Sequence, residues 1–337
     1  MQSVAAAAPW MPMVLVHVIQ QYVVVFTMLN FGGRVTRAAA ASDTTDCLAI
    51  SWPFNVLPTE SKWTTGTTMP RPRTYSSAAV LDDVVYVTGG FNFVRIANVD
   101  CYRVSCGVAG GGVWSPTSPL LTPRCTHITV ACAGLLYVIG GEIHSRDAVA
   151  CAEVFDPHTE HWSPIASMNV ARTYHAGVVF QDIIYIFGGM NCDDDVHNAL
   201  KPSAECYDPR TNTWKMISPP LTARGRHRAV VLENGIIAIM GGCIYTAPRY
   251  PEITAGVELY NPVIDKWTVA PWSLPSPLCE FAVFTMCNQL IVSEGDHKYG
   301  GDFTTNQVGN LTTWQWSPAP RLPDTCHGAA FTQMITH

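Results

Sequence analysis

The chain of 337 residues is long enough for one large domain or two ordinary ones. Hydrophobic residues account for 48% of it and charged residues for 14%, a balance that excludes wholesale disorder. The mild net charge of −6 argues against a dedicated nucleic-acid binder, which would carry a basic face.

The N-terminal stretch is apolar, but it lacks the marks of a targeting segment. No Lys or Arg precedes Arg34, so the basic flank of a signal peptide is missing. His17, Gln20 and Gln21 interrupt the stretch short of the roughly 20 apolar residues that a spanning helix needs. We therefore predict a cytoplasmic chain without membrane contact. Residues 1–20 form an N-terminal arm or an extra strand, and residues 21–337 form a single domain.

Two markers recur through that domain with one period and one phase. Gly-Gly pairs occur at 32–33, 89–90, 140–141, 188–189 and 241–242, and a degenerate Glu294-Gly295 follows. Tryptophans recur every 48 to 53 residues, at Trp63, Trp114, Trp162, Trp214, Trp267 and Trp316. A period of about 50 residues indicates one structural unit used about six times.

The unit that begins at Arg172 shows the predicted strands in order. "RTYHAGVVFQDIIYIFGG" contains a short apolar strand, a polar turn at Gln181-Asp182 and a second strand that ends in Gly-Gly. After a variable loop, "AECYDPRTNTWKMI" contains two further strands joined by a turn at Asp208-Pro209. No helical period appears, so the fold class is all-β. Four-stranded antiparallel sheets in series should stack radially into a propeller.

The combination of Gly-Gly, then Glu-x-Tyr-Asp-Pro, then Trp resembles the Kelch repeat, and more narrowly the Kelch domain of BTB-Kelch (Kelch-like) proteins. The units around Gly141, Gly189 and Gly242 match almost fully, whereas the first two units are degenerate. The resemblance covers roughly residues 20–335. It implies a six-bladed β-propeller whose ring is closed by the C-terminal strand joining the first blade.

The same resemblance implies a function. It indicates a non-catalytic protein-protein interaction module, a substrate-recognition propeller of the Kelch-like adaptor type that captures substrates for a cullin-type ubiquitin ligase. Only about 20 residues precede the first blade, which leaves no room for a BTB or BACK region. We expect either a fragment of a BTB-Kelch protein or a stand-alone Kelch protein. The alternatives are a Kelch-propeller enzyme (metal-dependent oxidase, specifier or sugar epimerase) and an actin-binding structural protein.

Two sets of positions reach one face of the propeller in the resembled family. The first set is the third residue of the Arg-x-x-His segment that opens each unit: Tyr75, Thr126, Tyr174, Arg226, Glu280 and Cys326. The second set lies in the loop after each Gly-Gly pair, where length and residue type vary between units. Variation at one fixed site of a repeat indicates recognition. We predict a protein or peptide partner, and no nucleic acid, at Tyr75, Arg95, His144, Arg146, Tyr174, Asp193, Asp194, Asp195, His197, Arg226, Tyr245, Arg249, His297, Lys298 and Tyr299.

The acidic loop "NCDDDVHN" is the strongest candidate for a metal site. Asp193 and His197 supply the Asp-xxx-His half of the Glu-xxx-Asp-xxx-His pattern that Fe(II)-dependent Kelch specifier proteins carry. The glutamate position is Gly189, part of a Gly-Gly pair, so the triad is incomplete. The sequence has neither CxxC nor HExxH, and neither GxSxG nor a P-loop. We predict no metal, no cofactor and no catalytic residue.

Two recurrent polar positions and the cysteines are predicted to be structural. A catalytic residue has no reason to recur around a ring, yet histidine and arginine do so. They occur at His127, His175, His227 and His327, and at Arg73, Arg124, Arg172, Arg224 and Arg321. Most of the 12 cysteines lie inside apolar runs, which indicates reduced thiols in an intracellular chain.

Overall fold

The computed structural model describes residues 24–34, 41–52, 63–65, 69–104, 112–143, 147–191, 202–247, 250–286, 289–293, 295–296, 302–303, 307–318 and 330–336. All regular secondary structure in these ranges is β-strand. None of the described segments is a helix long and apolar enough to cross a membrane. Residues 1–20, predicted to be an arm or an extra strand, lie outside these ranges.

Five four-stranded antiparallel sheets repeat the predicted unit, and we name each blade by the tryptophan of its last strand. The Trp114 blade contains Ser77–Leu81, Val84–Thr88, Val99–Val104 and Gly112–Thr117. The Trp162 blade contains Ile128–Cys132, Leu135–Ile139, Ala152–Asp156 and His161–Ile165. The Trp214 blade contains Ala176–Phe180, Ile183–Phe187, Ala204–Asp208 and Thr213–Ile217.

The other two blades follow the same order of strands. The Trp267 blade contains Arg228–Val231, Ile237–Met240, Val257–Asn261 and Lys266–Val269. The Trp316 blade contains Ala282–Met286, Gln289–Ser293, Gln307–Asn310 and Trp316–Pro318. Short two-stranded ribbons follow the second strand in three blades: Phe91–Asn92 with Val94–Arg95, Cys243–Ala247 with Tyr250–Ile253, and Gly295–Asp296 with Asp302–Phe303.

A further four-stranded sheet, the terminal sheet, is assembled from both ends of the chain. Its strand order is Trp63–Thr65, Ala41–Trp52, Val24–Arg34 and Ala330–Thr336. The all-β class and the four-stranded antiparallel blades of a propeller are confirmed. The predicted number of six blades is not confirmed, because the described residues form five blades of the repeat type. The first unit departs from the repeat because "AISWPFNVLPTESKW" lacks the Tyr-Asp-Pro turn.

The recurrent histidines pack the blades together, as predicted. His127, His175 and His227 are buried. Each ring lies against the first glycine of the Gly-Gly pair in the preceding blade. A Cβ built at Gly140 would lie 2.8 Å from Cε1 of His175, and one at Gly188 would lie 2.9 Å from Cε1 of His227. Only glycine admits this approach of strand end and ring.

The recurrent arginines join the strands within a blade. Arg73, Arg124, Arg172 and Arg224 are all buried, and each pairs with a buried carboxylate on the third strand. Arg172 is representative, since its Nη2 donates to Glu205 Oε1 at 2.7 Å and its Nη1 to the Gly188 carbonyl at 2.6 Å. Each of these buried charges is therefore paired with an opposite charge inside its own blade.

The repeat tryptophans tie each blade to its neighbour. Trp162 Nε1 donates to the carbonyl of Ser118 at 2.9 Å, where the preceding blade ends. Trp214 makes the equivalent bond to Ala166 at 2.7 Å. The indole thus fills the wedge between blades with apolar area and satisfies its polar edge at the same time.

Candidate functional site

One residue in each of the five blades has an unusual backbone conformation. These residues are Tyr75, Thr126, Tyr174, Arg226 and Glu280, with φ between 51° and 59°. Each lies two positions before the first residue of the first strand of its blade, and the first strands of neighbouring blades lie side by side. Positive φ is uncommon outside glycine, and a β-branched residue such as Thr126 adopts it rarely. Backbone strain of this kind is concentrated at functional sites.

A chain of backbone hydrogen bonds runs from blade to blade through these five residues. The N–H of Thr126 donates to Tyr75 O at 2.9 Å, and that of Tyr174 to Thr126 O at 3.1 Å. The N–H of Arg226 donates to Tyr174 O at 2.8 Å, and that of Glu280 to Arg226 O at 3.1 Å. The bonds use main-chain atoms only, so they hold the left-handed conformation without constraining the side-chain type. We call these five residues the channel mouth.

The channel-mouth side chains line a single cavity of about 230 Å³. Its walls also contain Ser76, His127 and His175, together with Ser77 and Thr129 from the first strands. Of the sequence-predicted partner-binding residues, the structure thus brings Tyr75, Tyr174 and Arg226 together.

Arg226 is the electrostatic centre of the mouth. Its Nη1 lies 2.6 Å from Glu280 Oε1, and its guanidinium carbon lies 4.3 Å from the centre of the Tyr174 ring. Burial alone would lower the pKa of Arg226, but Glu280 and then Tyr174 outweigh it, so the pKa of Arg226 is raised. Burial raises the pKa of Tyr174 well above its ordinary range. Arg226 therefore stays charged and Tyr174 protonated at neutral pH, and both remain hydrogen-bond donors.

Aromatic contact extends the mouth toward Tyr75. The rings of Tyr75 and Tyr174 meet edge to face, with centroids 6.0 Å apart. Both side chains are partly exposed. Tyrosine and arginine are both enriched among the residues that contribute most of the binding energy at protein interfaces.

The loops after the Gly-Gly pairs begin directly beside the mouth. Isolated bridges pair Thr74 with Phe91, Cys125 with Glu142, Thr173 with Met190 and Gly225 with Cys243. Arg95 Nη2 lies 3.0 Å from Glu142 Oε2, so the loops of the Trp114 and Trp162 blades are joined by an ion pair. The backbone of Tyr245 pairs with Pro251 in the ribbon of the Trp267 blade.

The remaining predicted site residues lie outside the described ranges: His144, Arg146, Asp193, Asp194, Asp195, His197, Arg249, His297, Lys298 and Tyr299. The described residues do test the glutamate position of the iron hypothesis. Gly189 has a φ of 97°, and a Cβ there would lie 2.8 Å from both His175 Cβ and Thr173 O. That position has no room for a glutamate. No group of three or more His, Cys, Asp or Glu side chains forms a metal-binding cluster within the described ranges.

Sequence reasoning missed two residues of the site. Glu142 follows a Gly-Gly pair and carries the ion pair with Arg95. Arg228 lies two residues beyond Arg226 and lines the cavity. The available signal was a break in the repeat, because the positions equivalent to Arg228 are Ser77, Ile128, Ala176 and Ala282.

Comparison with known proteins gives a consistent family. A family model described as the KLHDC2/KLHL20/DRC7 Kelch-repeats domain matches residues 112–295, more than half of the chain, and a Kelch motif model matches residues 72–120. Kelch-like protein 36 of Rattus norvegicus is 27% identical over 310 residues, which are 90% of this chain and 48% of that protein. Kelch-like protein 23 of Homo sapiens is 27% identical over 262 residues, which are 66% of this chain and 46% of that protein.

Two further similarities are more distant. Alpha-scruin of Limulus polyphemus is 27% identical over 223 residues, which are 64% of this chain and 23% of that protein. The chain therefore spans about half or less of the length of these curated relatives. A solved structure titled "Structure of YjhT" has a TM-score of 0.68 at 15% identity and covers 86% of this chain and 97% of that one. At this identity the likeness shows the fold alone.

Proposed function

Because the chain belongs to the Kelch-repeat family, we propose that it is a non-catalytic recognition propeller that binds a protein or peptide partner at the channel mouth. One observation carries the proposal. Five repeat-equivalent residues share a left-handed backbone and a continuous chain of main-chain hydrogen bonds, yet their side chains are Tyr, Thr, Tyr, Arg and Glu. A fixed frame with variable side chains around one cavity is the design of a recognition surface, because specificity can change while the fold does not.

We further propose that the terminal sheet is the sixth blade and closes the ring, so that residues 21–337 form one propeller and residues 1–20 an arm or an extra strand. Three contacts support this. Ala330–Thr336 pairs antiparallel with Val24–Arg34, and it neighbours both Ser77–Leu81 and Ala282–Met286. Such closure protects sheet edges that would otherwise be exposed. Removal of residues 330–337 should then abolish cooperative unfolding, and an unchanged melting temperature would contradict closure.

The family setting suggests the wider role. We propose that the propeller captures substrates for a cullin-type ubiquitin ligase, as expected from the Kelch-like relatives. Seven cysteines of the described blades are reduced thiols, which agrees with a cytoplasmic location: Cys101, Cys125, Cys132, Cys151, Cys206, Cys243 and Cys279. Co-precipitation of a cullin with the natural full-length protein tests the ligase role, and failure to recover any cullin would contradict it.

Affinity capture with variants of the mouth tests the central proposal. Wild-type protein, Tyr174→Ala and Arg226→Ala are immobilised and exposed to lysate, and the retained proteins are compared by quantitative mass spectrometry. Arg210→Ala is the matched control, since Arg210 pairs only with Asp208 on an exposed turn. We expect a set of partners that both mouth variants lose and the control keeps. Equal retention by all four proteins would contradict the proposal.

The alternatives give different results. Cosedimentation with filamentous actin tests the actin-binding role, and pelleting of wild type and both mouth variants alike would favour it. Stoichiometric iron or copper in the purified protein would favour the enzyme alternative over the binding module.

A further inference from the structure

The fourth strand of each blade is the outer edge of its sheet. In the Trp267 blade that strand is Lys266–Val269, and no strand of the described residues pairs with its outer side. Ala270, which follows the strand, donates its N–H inward to the carbonyl of Val257 at 3.0 Å. Because the direction of hydrogen bonding alternates along a strand, the main-chain groups of Trp267 and Val269 point outward. They form an unpaired edge that another strand can extend.

Proline blocks the same edge in three of the five blades. Val269 pairs with Glu258 of the third strand. The residues at the equivalent position in the other blades are Pro116, Pro164, Met216 and Pro318. Proline has no N–H, so an outward-facing proline removes the donor that an added strand needs, and natural sheets use it to prevent pairing between edges. The Trp114, Trp162 and Trp316 blades are therefore closed to strand addition at this position.

A lysine distinguishes the Trp214 blade from the Trp267 blade. Lys215 and Thr268 occupy equivalent positions of the outer strand, and both are exposed. If two copies of one blade pair edge to edge about a two-fold axis at this position, each copy places the residue opposite its own counterpart. Two lysines then repel each other, whereas two threonines form a favourable cross-strand pair. Of the five blades, the Trp267 blade is thus the one with neither proline nor lysine at these two positions.

Exposed apolar side chains adjoin this unpaired edge. Val269 is 71% exposed, and the turn that precedes the strand carries Val263 at 83% and Ile264 at 58%. The equivalent turn residues in the Trp214 blade are the polar Arg210 and Thr211. Neighbouring apolar residues that are left exposed mark a surface at which another molecule binds.

We propose that two copies of this chain associate by antiparallel pairing of their Lys266–Val269 strands, around a two-fold axis at Thr268. Trp267 of each copy then lies opposite Val269 of the other, and the outward main-chain groups of these two residues exchange hydrogen bonds across the contact. An aromatic residue opposite a β-branched one is a favourable cross-strand pair, as is threonine opposite threonine. The edge is thus complementary to itself, which is what a two-fold contact requires.

The ends of the paired strands fit the same register. Lys266 of one copy falls opposite Ala270 of the other, so no like charges meet there. Pro271 has no N–H and ends the ladder, which is therefore short. A short ladder buries little area, so we expect weak association that depends on concentration. The inference uses no residue of the channel mouth, so it and the recognition function can fail separately.

Sedimentation velocity over a range of protein concentrations measures the association. We expect a reversible equilibrium between monomer and dimer in the wild type. Val269→Pro introduces the residue that Pro164 supplies in the Trp162 blade, so it should fold and raise the dimer dissociation constant at least about tenfold. Val269→Thr keeps the N–H and the β-branched shape and should associate like the wild type. A wild type that stays monomeric at every concentration overturns the proposal and leaves the edge to an extended segment of another protein.

Charge substitutions at Thr268 test the register without changing the main chain. Thr268→Lys copies Lys215 of the Trp214 blade, and both Thr268→Lys and Thr268→Glu should weaken the dimer at low salt. An equimolar mixture of these two variants should associate more tightly than either alone, because opposite charges then meet across the axis. The same two substitutions at Thr211, on the exposed turn of the Trp214 blade, should give no gain on mixing. Absence of a gain with the Thr268 variants contradicts the proposed pairing, as does unchanged dimerisation of folded Val269→Pro.

Discussion

Arg226 and Glu280 join two neighbouring blades at the channel mouth. Arg226 Nη1 lies 2.6 Å from Glu280 Oε1, and the N–H of Glu280 donates to the carbonyl of Arg226 at 3.1 Å. The Arg226 side chain is 30% exposed and the Glu280 side chain 6%. One pair of residues thus links the Trp267 and Trp316 blades through both side chain and main chain, while the guanidinium remains accessible to a partner.

This relationship predicts a non-additive pair of substitutions. Arg226→Ala removes the guanidinium that lies 2.6 Å from the buried Glu280 carboxylate, so we expect a loss of about 1–3 kcal/mol in the free energy of unfolding. The double variant Arg226→Ala/Glu280→Gln should recover part of that loss, because the carboxylate charge that Arg226 balances is then absent as well. Urea denaturation of the wild type, both single variants and the double variant measures the coupling. Strictly additive effects would show that the pair contributes nothing to the blade contact.

The packing of Trp162 predicts how much the contact between neighbouring blades contributes to the free energy of unfolding. Its side chain is buried, its ring lies 5.0 Å from that of Phe155, and its indole N–H bonds to Ser118. Trp162→Ala should lower the free energy of unfolding by about 3–5 kcal/mol, the range for a buried aromatic truncation. Trp162→Phe keeps most of the apolar area and loses the hydrogen bond, so a smaller loss is expected. Similar losses in the two variants would mean that the hydrogen bond, and not packing, dominates.

The repeat made most of the fold predictable, because its markers are the residues that backbone geometry restricts most. The Gly-Gly pairs meet the histidine rings of the next blade, and Trp162 and Trp214 bond to the preceding blade. Substitution is therefore restricted at each of these glycine and tryptophan positions, and the positions recur at a constant spacing in the sequence. The mouth residue Tyr174 was predictable for the same reason, since it stands at a fixed distance from Arg172 and His175.

The rest of the site was not predictable because the repeat does not encode it. Arg228 occupies a position filled by Ser, Ile and Ala in other blades, so only the cavity reveals its role. Glu142 acquires its role from Arg95, 47 residues earlier, through a contact between loops of different blades. The left-handed backbone of Thr126 also has no local signal, because hydrogen bonds to Tyr75 and Tyr174 hold it in place. The roles of Arg228 and Glu142 and the backbone conformation of Thr126 all depend on contacts between different repeat units.

The packing around Gly189 predicts how much stability is lost when a glycine of a Gly-Gly pair is replaced. A Cβ at Gly189 would contact His175 Cβ and Thr173 O at 2.8 Å, and its φ is 97°. Gly134 has a φ of 77° and no atom within 4 Å of an added Cβ. A substitution at Gly134 therefore measures the cost of the backbone conformation without a steric clash. Gly134→Ala should cost about 1 kcal/mol through backbone strain alone, and Gly189→Ala should cost clearly more. Thermal melts of the two variants check this, and equal losses would show that the strand end can move away from the histidine.

His175 predicts the dependence of stability on pH. Its buried imidazole has a pKa of about 3, lowered chiefly by burial and further by Arg172, whereas the unfolded chain has a value near 6.5. Between these values the unfolded chain binds a proton that the native protein excludes. The stability held above pH 6.5 is therefore lost as the pH falls toward 3, with a slope of about 1.4 kcal/mol per pH unit for this group. Burial shifts the pKa of His127 and His227 in the same direction.

Phe281 supplies the control for this pH effect. It occupies the equivalent position in the Trp316 blade, where its ring lies against Gly241 as His175 lies against Gly140. His175→Phe should therefore fold and lose less stability than wild type between pH 7 and pH 5, because one proton-binding group is gone from the unfolded chain. Urea denaturation at pH 7, 6 and 5 measures the difference. An unchanged pH slope in His175→Phe would mean that native His175 takes up the proton after all, and that the imidazole is less sequestered than its packing indicates.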